Sequence, residues 1–332
     1  MNNTLEAPLL ARLQTLLATH DDDASSGGAM VQGRLPAPPL SVAVADVGVL
    51  SAPATATELA ALRKRCHPAP FGLREQTLID PAVRDTGEID ADALTLTWAD
   101  DALARLCEQI AEGLGLKQVA LVPHKLLCYG PGQFFKPHQD TARDPEMVGT
   151  LVLIWPSAHR GGELKVRHRD REGSFNSQQS GTDAAVRWCA FYADCQHEVS
   201  PVTEGQRIAI SFEVRVPDGR RPSRLAADPV LKQALAGLFG VGGGARQQPW
   251  YLLLDHQYNE HGLKWYTLKG PDRPLAAAVR AAAEAAGLTV GLALIEQMDD
   301  WNCPDGPPSG RGWVRGHFEE ADEDDETGDE DD

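Results

Sequence analysis

No uninterrupted apolar stretch among the 332 residues approaches the roughly 20 needed to cross a bilayer, so a membrane-spanning helix is not expected. The amino terminus, Met-Asn-Asn-Thr-Leu-Glu, lacks the basic start and apolar segment of a secretory signal, and residence in the cytoplasm is the expectation. Cysteine is scarce. The six that occur (Cys66, Cys107, Cys128, Cys189, Cys195, Cys303) form no Cys-x-x-Cys pair, which argues against a zinc ribbon or a dithiol redox motif. They read as reduced, buried small hydrophobes. Positive charge is also in deficit, with 31 Lys and Arg against 48 Asp and Glu, so a basic nucleic-acid-binding face is not expected. No internal repeat is found.

What remains is ordinary for a globular chain: 42% hydrophobic and 24% charged residues, in a length that supports a large core and more than one folding unit. Much of the formal charge of −17 is local. Residues 319–332 hold eleven Asp or Glu and no Lys or Arg, which leaves −6 for the rest. A like-charge run of this kind repels itself and buries no apolar area, so residues 319–332 are expected to be a disordered, solubilising tail rather than a docking arm.

Along the chain, Leu5–His20 has helical periodicity, and Asp21–Pro39, rich in Asp, Ser, Gly and Pro, reads as a loop. Leu40–Leu50 alternates like a strand, and helices are expected at Thr57–Cys66 and Ala99–Gly113. Pro70–Leu96 has no clear period and reads as an extended cover. From Lys117 onward, strand-length apolar stretches separated by Gly, Pro or polar clusters predict an all-β sandwich or barrel. After the polar, turn-rich 217–228, a strand at Pro249–Asp255, a helix at Arg273–Ala286 and a strand at Leu288–Gln297 predict a small α/β unit. The expected division is a helix-rich supporting region over 1–119, a β domain over 120–216, an α/β unit over 217–318, and the acidic tail.

Chemistry enters at His138-Gln139-Asp140. Residues two apart on a strand project to one side, so His-x-Asp there presents an imidazole and a carboxylate together. His168-Arg169-Asp170 repeats the tripeptide in a charged stretch that reads as a solvated strand end. Position separates the two. His138 follows a strand candidate and the turn Gly130-Pro131-Gly132, whereas His168 is only 29 residues from His197, too few for the intervening strands. His197 and Arg207, ten residues apart, flank a turn at Glu204-Gly205.

Tyr129-Gly-Pro-Gly-x-Phe-Phe-x-x-His138-x-Asp140-Thr141, then Gly161-Gly162-Glu163-Leu164, His197 and Arg207, resembles the prolyl 4-hydroxylase-like branch of the iron(II)/2-oxoglutarate oxygenases over roughly residues 120–216. The resemblance implies an α+β protein with a double-stranded β-helix core, jelly-roll or cupin-like, flanked by N-terminal helices and the C-terminal unit. It implies iron(II) held by His138, Asp140 and His197, which also serve as the catalytic residues, with three coordination positions left for 2-oxoglutarate and O2. Ascorbate is a further candidate cofactor. Asp140 argues against the halogenase variant, in which a smaller residue frees a position for chloride. Arg207 would hold the distal carboxylate of 2-oxoglutarate bidentately, followed by the small Ala209 and Ser211 on the same strand face. Tyr129 matches a tyrosine that contacts the co-substrate in that family, although packing alone would also explain it.

The implied activity is 2-oxoglutarate-dependent hydroxylation, releasing succinate and CO2, of a protein side chain such as prolyl or of a small molecule. The competing reading is a catalytically silent β-sandwich that binds a metal or a partner protein. His124, His159 and His168 read as surface or satisfied histidines, and Cys195 as a packed thiol. His317-Phe318-Glu319 is formally His-x-Glu but abuts the acidic run without strand context. His256-Gln257-Tyr258 and Lys269-Gly270 are left open between structural and cleft-shaping roles.

Overall fold

The computed structural model describes residues 28–35, 39–73, 76–140, 144–217, 226–240, 249–297 and 314–319, together with Ala11, Gln14 and Thr15. The helix expected at Leu5–His20 falls almost wholly outside these residues, as do Cys303 and the acidic run beyond Glu319.

The chain is mostly β. Alternating apolar strands need two buried faces, and the described residues meet this with two antiparallel sheets sharing one core. The larger sheet has seven strands in the order Met30–Leu35, Val186–Tyr192, Met147–Trp155, Arg207–Arg215, Ala120–Tyr129, Gly87–Asp90 and His67–Pro68. The second has five: Arg171–Phe175, Leu164–His168, Gln196–Val199, Phe134–His138 and Arg84–Asp85. Leu151, Leu153 and Ile210 of the large sheet and Phe135, Val166 and Val199 of the small one belong to the same hydrophobic cluster. The central strands Met147–Trp155 and Arg207–Arg215 are buried on nearly every residue, as expected of a sheet covered on both sides. One cover is the helix Ala102–Gly113, whose Leu106 and Ile110, spaced one turn apart, enter that core.

Two regions differ from expectation. Met30–Leu35, within the stretch read as a loop, pairs along its whole length with Val186–Tyr192. Its Gly33 explains both the weak strand signal and the pairing, since a Cβ there would stand 2.5 Å from the Trp188 ring. Pro70–Leu96 is not a featureless cover: Arg84–Asp85 and Gly87–Asp90 complete the two sheets, and Leu94–Trp98 pairs with Leu40–Val44. These strands are too short to show a period.

Beyond residue 217, the helix Pro229–Phe239 starts on Asp228, whose carboxylate accepts from the Val230 and Leu231 amides, and stops at the left-handed Gly240. It packs on the helix Asp272–Ala285 through Leu231, Leu235 and Ala282. Leu292–Gln297 is a strand as expected, whereas Pro249–Asp255 is not. The partner of Leu292–Gln297 is Val314–Glu319, so His317 has strand context after all. Among the described residues, no helix is long and apolar enough to cross a membrane.

A packing test is offered by Gly149 in the large sheet, where a Cβ would come within 2.3 Å of the Phe191 carbonyl oxygen. Backbone cannot yield there cheaply. Gly149→Ala is expected to destabilise the fold by about 1–3 kcal/mol, read as a lower denaturant midpoint.

Candidate active site

The cross-strand register places His138 directly opposite His197, in the middle of the small sheet. Asp140 lies two residues beyond the end of the Phe134–His138 strand rather than on it, because pairing with Gln196–Val199 ends at His138. Its carboxylate nevertheless reaches the same point. One ligand atom from each of His138, Asp140 and His197 lies within 4.8 Å of the others, and Asp140 Oδ2 is 3.8 Å from His197 Nε2.

Each imidazole is oriented by a backbone carbonyl. His138 Nδ1 lies 2.9 Å from the Lys136 carbonyl oxygen and His197 Nδ1 3.1 Å from that of Cys195. A carbonyl only accepts, so both Nδ1 atoms carry the proton and both Nε2 atoms keep a lone pair for a metal. Burial, and then the neighbouring His197, push the His138 pKa down to about 3, which keeps that ring neutral. Phe135 stacks on His138 at 3.5 Å between centroids, and Phe191 packs against His197 at 4.6 Å. Burial alone would raise the Asp140 carboxyl, but His197, His138 and the Thr150 hydroxyl outweigh it and hold the group below its usual range. Thr150, on the large sheet, donates to Asp140 Oδ2 at 2.5 Å and so fixes the carboxylate from the opposite layer. Sequence reading gave no hint of Thr150, since its contact is set by tertiary packing. Thr150→Val is expected to weaken iron(II) binding about 10- to 100-fold in a metal titration, with the fold intact.

Arg207 is the second element. It is 1% exposed, and no carboxylate of the described residues pairs with it. Burial lowers its pKa, with nothing nearby to offset it fully. Its Nε donates to Ser177 Oγ at 3.2 Å, while Nη2 is buried with no partner among the described residues. The side chain fits because residue 162 is glycine: a Cβ there would stand 2.6 Å from Arg207 Cδ, at a φ of +68° that favours glycine in any case. That gives the Gly161-Gly162 pair a physical reason. Tyr129 faces Arg207 across the strand pair, its ring 5.3 Å from the guanidinium carbon. His159 is buried, donates from Nδ1 to the Ser157 carbonyl, and meets Ser177 Oγ through Nε2. Burial pushes its pKa down to about 4, so it adds no charge beside Arg207. Ser177 and His159 are thus companions of Arg207 that local sequence patterns do not mark.

The other histidine clusters have a cation built in. His168, at the end of its strand, turns Nε2 to Asp194, which also pairs with the Lys269 ammonium at 3.0 Å. Beside His67, Glu88 and Asp90, the ammonium of Lys125 pairs with both carboxylates. His124 is half exposed on its strand, 4.0 Å from Glu213. Cys195 is buried, and burial raises its thiol to about 12; it contributes its carbonyl rather than its sulfur. Thr141 lies outside the described residues.

Residues 124–214 match the profile of the 2OG-Fe(II) oxygenase superfamily. A PKHD-type hydroxylase of Maricaulis maris is 32% identical over 123 residues, which are 36% of this chain and 53% of that protein. The chain therefore spans about half the length of this curated relative. Among solved structures, a prolyl-4-hydroxylase from Pseudomonas putida is 19% identical, with 60% of this chain and all of that one covered at a TM-score of 0.37. An oxidoreductase of the 2OG-Fe(II) oxygenase family from Burkholderia pseudomallei is also 19% identical, covering 66% and 94% at a TM-score of 0.35.

Proposed function

We propose that the protein, whose residues 124–214 match the profile of the 2OG-Fe(II) oxygenase superfamily, is an iron(II)- and 2-oxoglutarate-dependent dioxygenase that hydroxylates its substrate. The observation that carries this reading is the orphaned Nη2 of Arg207. Burying a guanidinium with an unused donor costs several kcal/mol unless a ligand anion completes it. A dicarboxylate with one end on a metal and the other on Arg207 supplies that anion. The donor set agrees: two imidazoles and one carboxylate suit iron(II) and leave open positions.

In this reading His138, Asp140 and His197 hold iron, which supplies dioxygen activation when bound. Lys136 and Cys195 fix the two imidazole tautomers, and Thr150 aims the carboxylate. Arg207, steadied by Ser177 and flanked by Tyr129, grips the distal carboxylate, so the co-substrate adopts one orientation before any chemistry begins. Phe135 and Phe191 keep water from the imidazole flanks. The two sheets correspond to a double-stranded β-helix, with the helices Ala56–Arg65 and Ala102–Gly113 as N-terminal supports and the chain beyond 217 as an appended unit.

Calorimetric titration tests the reading. One equivalent of iron(II), added anaerobically, is expected to bind first and to strengthen the subsequent uptake of one equivalent of 2-oxoglutarate. A chain that takes up neither would refute the proposal.

A further inference from the structure

A cavity of about 490 Å³ opens above the His138–Asp140 side of the metal site, and its far wall comes from outside the oxygenase domain. Gln257, Tyr258, Asn259, Thr267 and Lys269 line it together with His138 and Asp140. These are the neighbourhoods of the His256-Gln257-Tyr258 and Lys269-Gly270 motifs.

The wall is fixed by two buried carboxylates. Asp194, in the turn before the His197 strand and 5% exposed at its side chain, takes the Lys269 ammonium at 3.0 Å, His256 Nδ1 at 3.0 Å and the Gln257 amide at 3.0 Å. Lys269 also donates to the Gln257 carbonyl at 2.9 Å, so the Gln257 backbone is pinned on both sides while its side chain faces the cavity. Asp272 takes the His256 amide and the Tyr258 hydroxyl, and Gly270 N donates to Tyr192 OH on the large sheet. From the barrel side, Gln139, between two metal ligands, donates to the Asp194 carbonyl at 2.7 Å. His168, Asp194 and His256 are close enough to suggest a second metal site. However, the two rings stack at 4.3 Å and 23° rather than converging, and Lys269 already neutralises the carboxylate.

The charges lining the cavity among the described residues are therefore spoken for: Asp194 and Lys269 by each other, Asp140 by the metal site. Among the described lining residues, Gln257 is exposed and its carboxamide meets only Gln139 Nε2, at 3.5 Å, which leaves it placed to meet a substrate. A charged substrate group would go unpaired against this lining, whereas an amide or hydroxyl would not.

We propose that Asp194 and Lys269 are positioning residues that hold the 256–269 segment as the outer wall of the iron cleft, and that Gln257 there recognises an uncharged hydrogen-bonding group of the substrate. The proposal rests on the oxygenase reading above.

The test uses the full chain labelled with 3-fluorotyrosine, with manganese(II) in place of iron and 2-oxoglutarate added. The chain has five tyrosines, and Tyr258→Phe identifies the resonance of interest. Paramagnetic broadening falls steeply with distance from the metal. In the parent, manganese is expected to broaden the Tyr258 resonance. Lys269→Met or Asp194→Asn should remove at least half of that broadening at unchanged manganese affinity, and Lys269→Arg should restore it. N-acetylglycinamide, the uncharged probe, should show saturable manganese-dependent relaxation, with at least a fivefold weaker apparent affinity in Gln257→Leu. No broadening of Tyr258 in the parent, or equal broadening in Lys269→Met and Asp194→Asn, overturns the positioning role. Equal probe binding by parent and Gln257→Leu overturns the recognition role. Failure to bind manganese and 2-oxoglutarate at all is a separate outcome: it refutes the oxygenase reading and this inference with it.

Discussion

Arg207→Ala retains iron(II) and loses affinity for 2-oxoglutarate by roughly 30- to 3000-fold. The range follows from about 2–5 kcal/mol for removing a buried, charge-assisted contact and leaving its carboxylate unpaired, at about 1.4 kcal/mol per tenfold. The geometry places Arg207 toward the upper part of that range, because the guanidinium is fully enclosed and no described carboxylate competes for it. Arg207→Lys recovers only part of the loss, since an ammonium offers charge without a planar fork and would not keep the Ser177 contact in the same place. A 2-oxoglutarate titration of the three proteins at saturating iron(II) reads this directly. Equal affinities would make Arg207 structural. The neighbouring cations are poor substitutes: Arg187 is engaged by Asp183, and Lys125 by Glu88 and Asp90.

The second large effect is at the metal. Alanine at His138, Asp140 or His197 removes one of the three proposed iron ligands, and each variant is expected to lose stoichiometric iron and all turnover while remaining folded. Folding survives because removing a member of the triad also removes a polar group crowded against the other two. His168→Ala, by contrast, keeps full iron binding, because His168 Nε2 is directed at Asp194 and not at the His138 cleft. Iron content after desalting, together with thermal melts, separates the cases. A His168 variant without iron, or an Asp140 variant with it, would move the metal centre to the other His-x-Asp.

Much of the β architecture was legible in the sequence because its strands carry strong apolar signals: GTLVLIW and RIAISFEVRV are buried almost throughout. Met30–Leu35 was not legible. Its Gly33 and Arg34 break the pattern, and only the Trp188 ring across the sheet explains why glycine sits there. The helix Pro229–Phe239 carried a readable start in Asp228-Pro229 and a readable stop in Gly240, signals that the polar, turn-rich surroundings obscured. At the site, His138, Asp140, His197 and Arg207 share a spacing that a single chain can display. Thr150, Ser177, His159 and Asp194 act through contacts between distant strands, and nothing local in their surroundings announces them. The sequence also suggests that His-x-Asp needs both residues on one strand. The structure meets the same requirement differently, with Asp140 just past the strand end and braced from the opposite sheet.

Oxygen labelling in an extract of the source cells tests the proposed dioxygenase activity most directly. The purified protein, iron(II), 2-oxoglutarate and 18O-labelled dioxygen are added, and succinate and extract components are followed by mass spectrometry. The expected result is succinate formation that requires both iron(II) and 2-oxoglutarate, together with one labelled oxygen gained by an extract component, both abolished by Asp140→Ala. Succinate at background level, or label incorporation that persists without 2-oxoglutarate, would contradict a 2-oxoglutarate-dependent dioxygenase.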